Sequence, residues 1–198
     1  MTAQTDAGRI WPIAVLMQRD ALQSPWQRWR WSLHDVLPAP EDAATPPRCV
    51  AWGTTRAQWL YPGCAVQLYR DEAEGYHLNL TAPQPSWFVW WTAPALADCD
   101  DPRLDPAGLP AIQAVTLSYN EAARWMDAGE TIEIAPLPAA VANWLAAFTQ
   151  QHYRPEPRKR RRPQSFLAPE QRAATTASAP PAAASAVDDR DEPPACCL

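Results

Sequence analysis

Glycine is scarce and scattered. The 198 residues hold six, at Gly8, Gly53, Gly63, Gly75, Gly108 and Gly129, and no two stand within nine positions of each other. A phosphate-cradling loop needs clustered glycines, because only then can several backbone amides close on one phosphate. A P-loop and a dinucleotide fingerprint are therefore excluded. Histidine is equally sparse: His34, His77 and His152 lie far apart, and the five cysteines (Cys49, Cys64, Cys99, Cys196, Cys197) include no CxxC pair. No zinc spacing or Cys/His nucleophile pair can be read from them. An odd count fits a secreted disulfide framework poorly, so they read as reduced thiols of a cytoplasmic protein. Long apolar runs are missing too. Ile10–Met17 is short, is broken by Trp11-Pro12 and is followed by Arg19-Asp20, which is not the pattern of a secretory signal. No stretch approaches the roughly 20 apolar residues that span a bilayer.

What the chain has in quantity is tryptophan, with 11, and proline, with 23. Each large aromatic can remove roughly 150–250 Å² from water on burial. Many prolines separate short apolar runs, which argues against a helical bundle. Charge is divided along the chain. Residues 1–153 carry nine Arg against 16 Asp and Glu, a net charge of −7. Residues 154–172 carry a net charge of +5, and residues 173–198 one of −3. An acidic body disfavours extended nucleic-acid binding, because phosphate neutralisation needs a basic face.

Ile10–Arg19 reads as a first strand. Trp29 and Trp31 share one side of a second extended segment, with Arg28 and Arg30 on the other. Residues 38–48 read as a loop, and a strand around Arg56–Tyr61 is expected to stop at Pro62-Gly63. Cys64–Leu80 reads as a hairpin: Cys64, Val66 and Leu68 alternate, then Tyr76, Leu78 and Leu80, around the polar turn 71–75 that ends in Gly75. Cys64 would then be a small core residue. Trp87–Trp91, five consecutive large apolar residues, requires a strand covered on both faces. Residues 93–111 form a second loop, and Ile112–Leu117 a strand. Ser118-Tyr119-Asn120-Glu121 fits a capping box for a helix stopping at Gly129, with Ala122, Trp125 and Met126 inward. Thr131–Ala135 is strand-like. Pro138 opens a last helix whose stripe is Val141, Trp144, Leu145 and Phe148, ending near His152. From residue 155 Pro and Ala dominate, with few large apolar residues, so a disordered tail is expected. The predicted architecture is α+β, with an antiparallel-dominated sheet of about six or seven strands and two C-terminal helices. It occupies residues 1–154, and the basic-then-acidic tail occupies 155–198.

No reactive centre is legible, and no catalytic residue, metal or cofactor is expected. Asp71, Glu72 and Glu74 sit together, but a solvated turn does not separate two carboxyl pKa values as acid–base work requires. Arg28 and Arg30, between Trp29 and Trp31, can stack on bases or grip a carboxylate, while strand alternation alone gives core tryptophans with solvent-facing arginines. The side chains suited to contact are Trp26, Arg28, Trp29 and Arg30, together with Arg70, His77 and Asn79 around the turn. The run Arg158-Lys159-Arg160-Arg161-Arg162 can dock on an acidic protein surface, bind nucleic acid or fold back on the acidic body.

Four stretches carry a resemblance: Pro25–Trp31 (PWQRWRW), His77–Val89 (HLNLTAPQPSWFV), Val115–Gly129 with SYNEAARWMD at its centre, and His152–Pro163 (HYRPEPRKRRRP). Together, over about residues 9–167, the chain resembles a proteobacterial family of uncharacterised small proteins. Their genes sit beside those of molybdenum-dependent formate dehydrogenase. The resemblance implies a cytoplasmic, non-catalytic accessory protein serving maturation, assembly or regulation of that enzyme, with a dehydrogenase subunit or maturation factor as protein partner. Two rivals stand beside it: an enzyme acting on a molybdenum-cofactor precursor or nucleotide, and a nucleic-acid-binding regulator working through 158–162. A cofactor nucleotidyltransferase would need a glycine-rich loop after the first strand, where Asp20-Ala21-Leu22-Gln23 stands instead.

Overall fold

A computed structural model describes residues 9–39 and 46–155. Four strands, β1 (Ile10–Ala21), β2 (Trp29–Pro38), β3 (Arg48–Trp52) and β4 (Arg56–Gln67), form an antiparallel sheet in the order β2-β1-β4-β3. Three more, β5 (Ser86–Thr92), β6 (Ala111–Thr116) and β7 (Ile132–Pro136), form a second antiparallel sheet in the order β6-β5-β7. The α-helices are α1 (Ala73–Thr81), α2 (Tyr119–Asp127) and α3 (Ala139–His152). The α+β class with antiparallel pairing is as expected. The single sheet is corrected to two, and a third helix stands before β5. The expected tail lies outside the described residues, apart from Pro155.

One core joins the two sheets. Ile13, Val15 and Met17 alternate inward along β1, as do Ala57, Trp59 and Tyr61 along β4. Trp31 of β2 meets Trp59 edge-on, with ring centroids 5.1 Å apart. From the second sheet come Trp87, Val89 and Trp91 of β5, and from α3 Val141, Leu145 and Phe148. The alternate residues of β5 face α2. Phe88 packs edge-on against Tyr119, and Trp90 tilts against Trp125. The run Trp87–Trp91 is thus covered on both sides, as five adjacent large apolar residues demand.

Three local expectations are corrected. The strand expected to stop at Pro62-Gly63 instead continues to Gln67. The register slips there, Ile13 pairing with Cys64 and Val15 with Tyr61, so Pro62 and Gly63 form a bulge opposite β1. A bulge tolerates proline's missing N–H, and Gly63 adopts φ of 79° at no steric cost. Edge strand β3 was not expected, because its exposed residues show no inward alternation.

The third correction is the largest. The second arm of the expected Cys64–Leu80 hairpin is helix α1, and Cys64 is a half-buried residue of β4 packed against the core. Tyr76 and Leu80 stand one turn apart toward the interior, and Leu78 points outward. Gly75 is no turn glycine: a Cβ there would meet the Ser118 Oγ at 2.1 Å. Its hydrogen side chain lets α1 close on the start of α2. Beside it the Ser118 hydroxyl donates to Glu72 Oε2 at 2.5 Å. Asn79 fastens the other end of α1. Its amide donates to the carbonyls of Ser86 and Leu117, both at 2.8 Å, and its Oδ1 accepts from the Ser86 N–H at 2.9 Å.

Helix α2 begins as expected, with the Ser118 Oγ accepting from the Glu121 N–H at 3.1 Å. The return half of the capping box is replaced. Glu121 accepts from the Thr116 hydroxyl, whose oxygen accepts from the Ser118 N–H. At its end Gly129, at φ of 84°, closes a Schellman motif through Gly129 N–H to Met126 O and Glu130 N–H to Trp125 O. Met126 is exposed rather than inward, and Trp125 is half-buried.

Two outcomes follow. Gly75→Ala is expected to lower unfolding stability by about 2 kcal/mol or more, because Ser118 cannot yield without breaking the α2 cap. Gly129→Ala, with open space around its Cβ position, is expected to cost only about 1 kcal/mol through its positive φ. Denaturant titration of both variants checks the order, and equal losses would contradict the close approach.

The second outcome concerns alkali. Burial pushes the Tyr76 hydroxyl up to about 12 and raises that of Tyr61 further. The unfolded chain releases these protons near its ordinary tyrosine pKa, about 10, while the folded chain retains them. Their contribution is whole below that pH and is lost as pH rises through the folded values. Ultraviolet titration is expected to show Tyr61 and Tyr76 ionising only together with unfolding. Smooth titration of all tyrosines in the folded state would contradict it.

Candidate partner-binding surface

The β1–β2 connection, residues 22–28, is short and internally bonded. The Leu22 N–H donates to Arg28 O at 2.8 Å, the Trp26 N–H to Ser24 Oγ, and the Gln27 side-chain amide to Trp29 O. Pro25 further limits the backbone. On this tip Trp26 is 90% exposed. A tryptophan held this far out of the core is unusual in kind, since its large apolar area gains nothing from water.

The strand alternation of β2 is as expected. Trp31 is buried and Trp29 half-buried, while Arg28 and Arg30 are exposed. Arg28 pairs with Asp100 at 2.8 Å, and its N–H donates to Asp98. Arg30 lies across from Asp20 in the register. Partial burial alone would raise the Asp20 carboxyl. Hydrogen bonds from Arg56 and Gln18, with the charges of Arg56 and Arg30, outweigh that and hold it below the usual range. Asp20, Ala21, Thr55 and Arg56 line an open depression of about 490 Å³ at this end of the sheet.

The loop after β5 forms the other side of this surface. It is folded on itself: the Leu96 N–H donates to Ala107 O, Asp105 caps the turn at Pro106–Gly108, and buried Cys99 leaves no room for a Cβ at Gly108. Arg103 bonds Asp101 through two nitrogens, at 2.8 and 2.6 Å, and lays its guanidinium 3.7 Å from the ring centroid of Trp52 on β3. Leu104 beside it is 84% exposed. Through Arg28–Asp100 and Arg103–Trp52, the loop ties the hairpin tip to the edge strand. The outcome is a rim of arginines and aspartates around exposed apolar side chains.

Sequence reasoning passed over Trp52, Arg103 and Leu104, and also Arg19 on β1. Arg19 is 1% exposed, at the end of the inward row Ile13, Val15, Met17. Its guanidinium lies 3.7 Å over the Trp29 ring, and its Nη2 donates to Asp100 O at 3.1 Å. Burial lowers its pKa, and Asp100 and Asp101 partly offset this. The signal was available: an arginine on the inward parity of an otherwise apolar strand face.

The remaining candidates lie elsewhere. Arg70 is exposed in the helical turn before α1. His77 of α1 stacks on Tyr153, with centroids 4.4 Å apart and planes 19° apart. Asn79 is inside the fold with its amide fully engaged, so it offers no group to a partner. Of these, His77 lines a groove between α1 and α3, and Arg28 belongs to the hairpin tip with Asp98 and Asp100. Arg158, Lys159, Arg160, Arg161 and Arg162 lie outside the described residues.

Among the described residues, no three His, Cys, Asp or Glu side chains gather as ligands for one metal ion, and no helix is long and apolar enough to cross a membrane. Neither a curated protein nor a solved structure matches the chain. A family model does match, over residues 12–162, and by that match the chain belongs to the family described as protein of unknown function, DUF3305.

Proposed function

We propose that this protein is a contact protein without a reaction of its own, serving the maturation, assembly or regulation of a molybdenum-dependent formate dehydrogenase. The contact reading is carried by Trp26, an exposed tryptophan on a bonded hairpin tip, with Arg28 and Arg30 beside it. Interface anchors are of this kind: tryptophan and arginine dominate binding energy where they are already held in place. The dehydrogenase as partner rests on the resemblance of the PWQRWRW, HLNLTAPQPSWFV, SYNEAARWMD and HYRPEPRKRRRP stretches to proteins encoded beside that enzyme. The acidic body suits steering toward a basic partner surface.

The test is affinity capture from the native host at low salt with the whole chain as bait. Recovery of a dehydrogenase subunit or maturation factor is expected, and Trp26→Ala is expected to weaken it by about thirtyfold, the scale of an interface hot spot. Deleting the gene is expected to lower formate dehydrogenase activity in the same host. Unchanged activity, with no dehydrogenase component captured, would remove the proposal.

A further inference from the structure

Among the described residues, Arg19 carries the one buried charge. Strand register sets its place. On the inner face of the first sheet it stands between Trp31 of β2 and Ala57 of β4, two residues before the end of β1. The Trp29 ring lies 3.7 Å from its guanidinium, and the loop after β5 reaches it through the Asp100 carbonyl, which accepts from Nη2 at 3.1 Å. Its Nε and Nη1 have no acceptor, and neither has the buried indole N–H of Trp29.

A buried guanidinium ordinarily has a carboxylate partner, because an uncompensated charge away from water is costly. Here the neighbouring acids are engaged elsewhere. The Asp100 carboxylate pairs with Arg28 at 2.8 Å, Arg103 bonds Asp101 through two nitrogens, and Asp98 accepts from the Arg28 N–H. Asp20, next to Arg19 on β1, points to the opposite face of the strand, where Arg56 and Gln18 bond it. Arg28, which shares Asp100 with Arg19, adds a charge of the same sign. The thiol of Cys99, beside Asp100, is free and buried. Among the described residues, no carboxylate forms an ion pair with Arg19.

We propose that Arg19 is the centre of a binding site for a small carboxylate anion, held by the free N–H groups of its guanidinium beside the Trp29 indole. One uncompensated positive charge matches one negative charge. The donors of a guanidinium lie in one plane, which suits a planar carboxylate better than a tetrahedral ion. The closed surroundings admit an anion of few atoms. Entry needs only local opening of the loop, whose outer ties are exposed ion pairs that count for little in water. Nη2 can keep the Asp100 carbonyl while the other nitrogens take the anion, so the loop closes over it. The contact reading of the hairpin tip does not depend on this site and stands if the site fails.

The experiment follows thermal unfolding of the intact protein in sodium acetate, with sodium sulfate and sodium chloride at equal ionic strength beside it. Acetate and sulfate also stabilise proteins by exclusion from their surface, so the quantity read is the difference between wild type and Arg19→Met. Acetate in about tenfold excess over its dissociation constant is expected to raise the wild-type melting temperature by about 4 °C more than that of the variant. The difference is expected to saturate, to be smaller in sulfate, and to persist in Arg70→Gln, which removes an exposed arginine from the turn before α1. A second measurement needs no Arg19 variant to fold: acetate is expected to shift the Trp29 indole N–H resonance, assigned through Trp29→Phe, along a saturating curve that chloride does not reproduce. Equal acetate responses in wild type and Arg19→Met, a larger difference in sulfate than in acetate, or a Trp29 indole signal that acetate leaves in place would each overturn the proposal.

Discussion

Neither sheet can bury an apolar face by itself. Four strands and three strands are each too few to enclose a core, so the two must share one, and every other feature serves that closure. Tryptophan is the means. Trp31 of β2, Trp59 of β4 and Trp87 and Trp91 of β5 fill the space between sheets that small side chains would leave open. The choice has a polar consequence. The indole N–H groups of Trp87 and Trp91 are buried without an acceptor, as is the hydroxyl of Tyr61. Each is a cost set against a large gain in buried area.

The helices close what the sheets leave open, and α1 is the keystone. It lies on α3 through Tyr76 and Phe148, whose rings meet edge-on at 5.9 Å. It touches the head of α2 at Gly75 and Ser118, and through Asn79 it holds the start of β5 and the end of β6. Glu72, just before α1, accepts from both Ser118 and Arg124. The turn of acids that looks solvated in the sequence is therefore partly structural. Its middle carboxylate is committed to α2, while Asp71 and Glu74 remain exposed.

This explains what was legible. Helices α2 and α3 carry their own signals: a serine cap, a stop glycine, a stripe at helical spacing. Those signals act within a few residues of where they are read. Helix α1 has none. Its N-cap position makes no side-chain bond, and Tyr76, Leu78 and Leu80 satisfy a strand's alternation as well as a helix's turn. What decides it is distant in sequence: Ser118 against Gly75, Leu117 against Asn79. The bulge at Pro62-Gly63 is similar, since only its pairing with β1 distinguishes a kinked strand from an ended one. At the surface, strand alternation placed Arg28 and Arg30 on the side away from Trp29 and Trp31, where they are exposed, whereas nothing local said that Trp26 stands out of the core. Nothing local could place Arg103 on Trp52, because that contact joins a loop to an edge strand.

The hairpin tip shows how weak contacts build a definite surface. Asp100 is held twice, its carboxylate by exposed Arg28 and its carbonyl by buried Arg19. The exposed pair alone is worth little, about 0–1 kcal/mol, because water competes for both charges. Arg19 is different. Its guanidinium is fixed over Trp29 in a place water does not reach, and its Nε and Nη1 find no acceptor. A charge buried on those terms is poorly suited to stabilising the fold. Geometry is what it supplies: it fixes the loop at Asp100, so Arg28, Asp98 and the hairpin tip keep one arrangement. A surface ordered before its partner arrives loses less entropy on binding. That is a physical reason for an acidic protein to keep an arginine where a leucine would pack better.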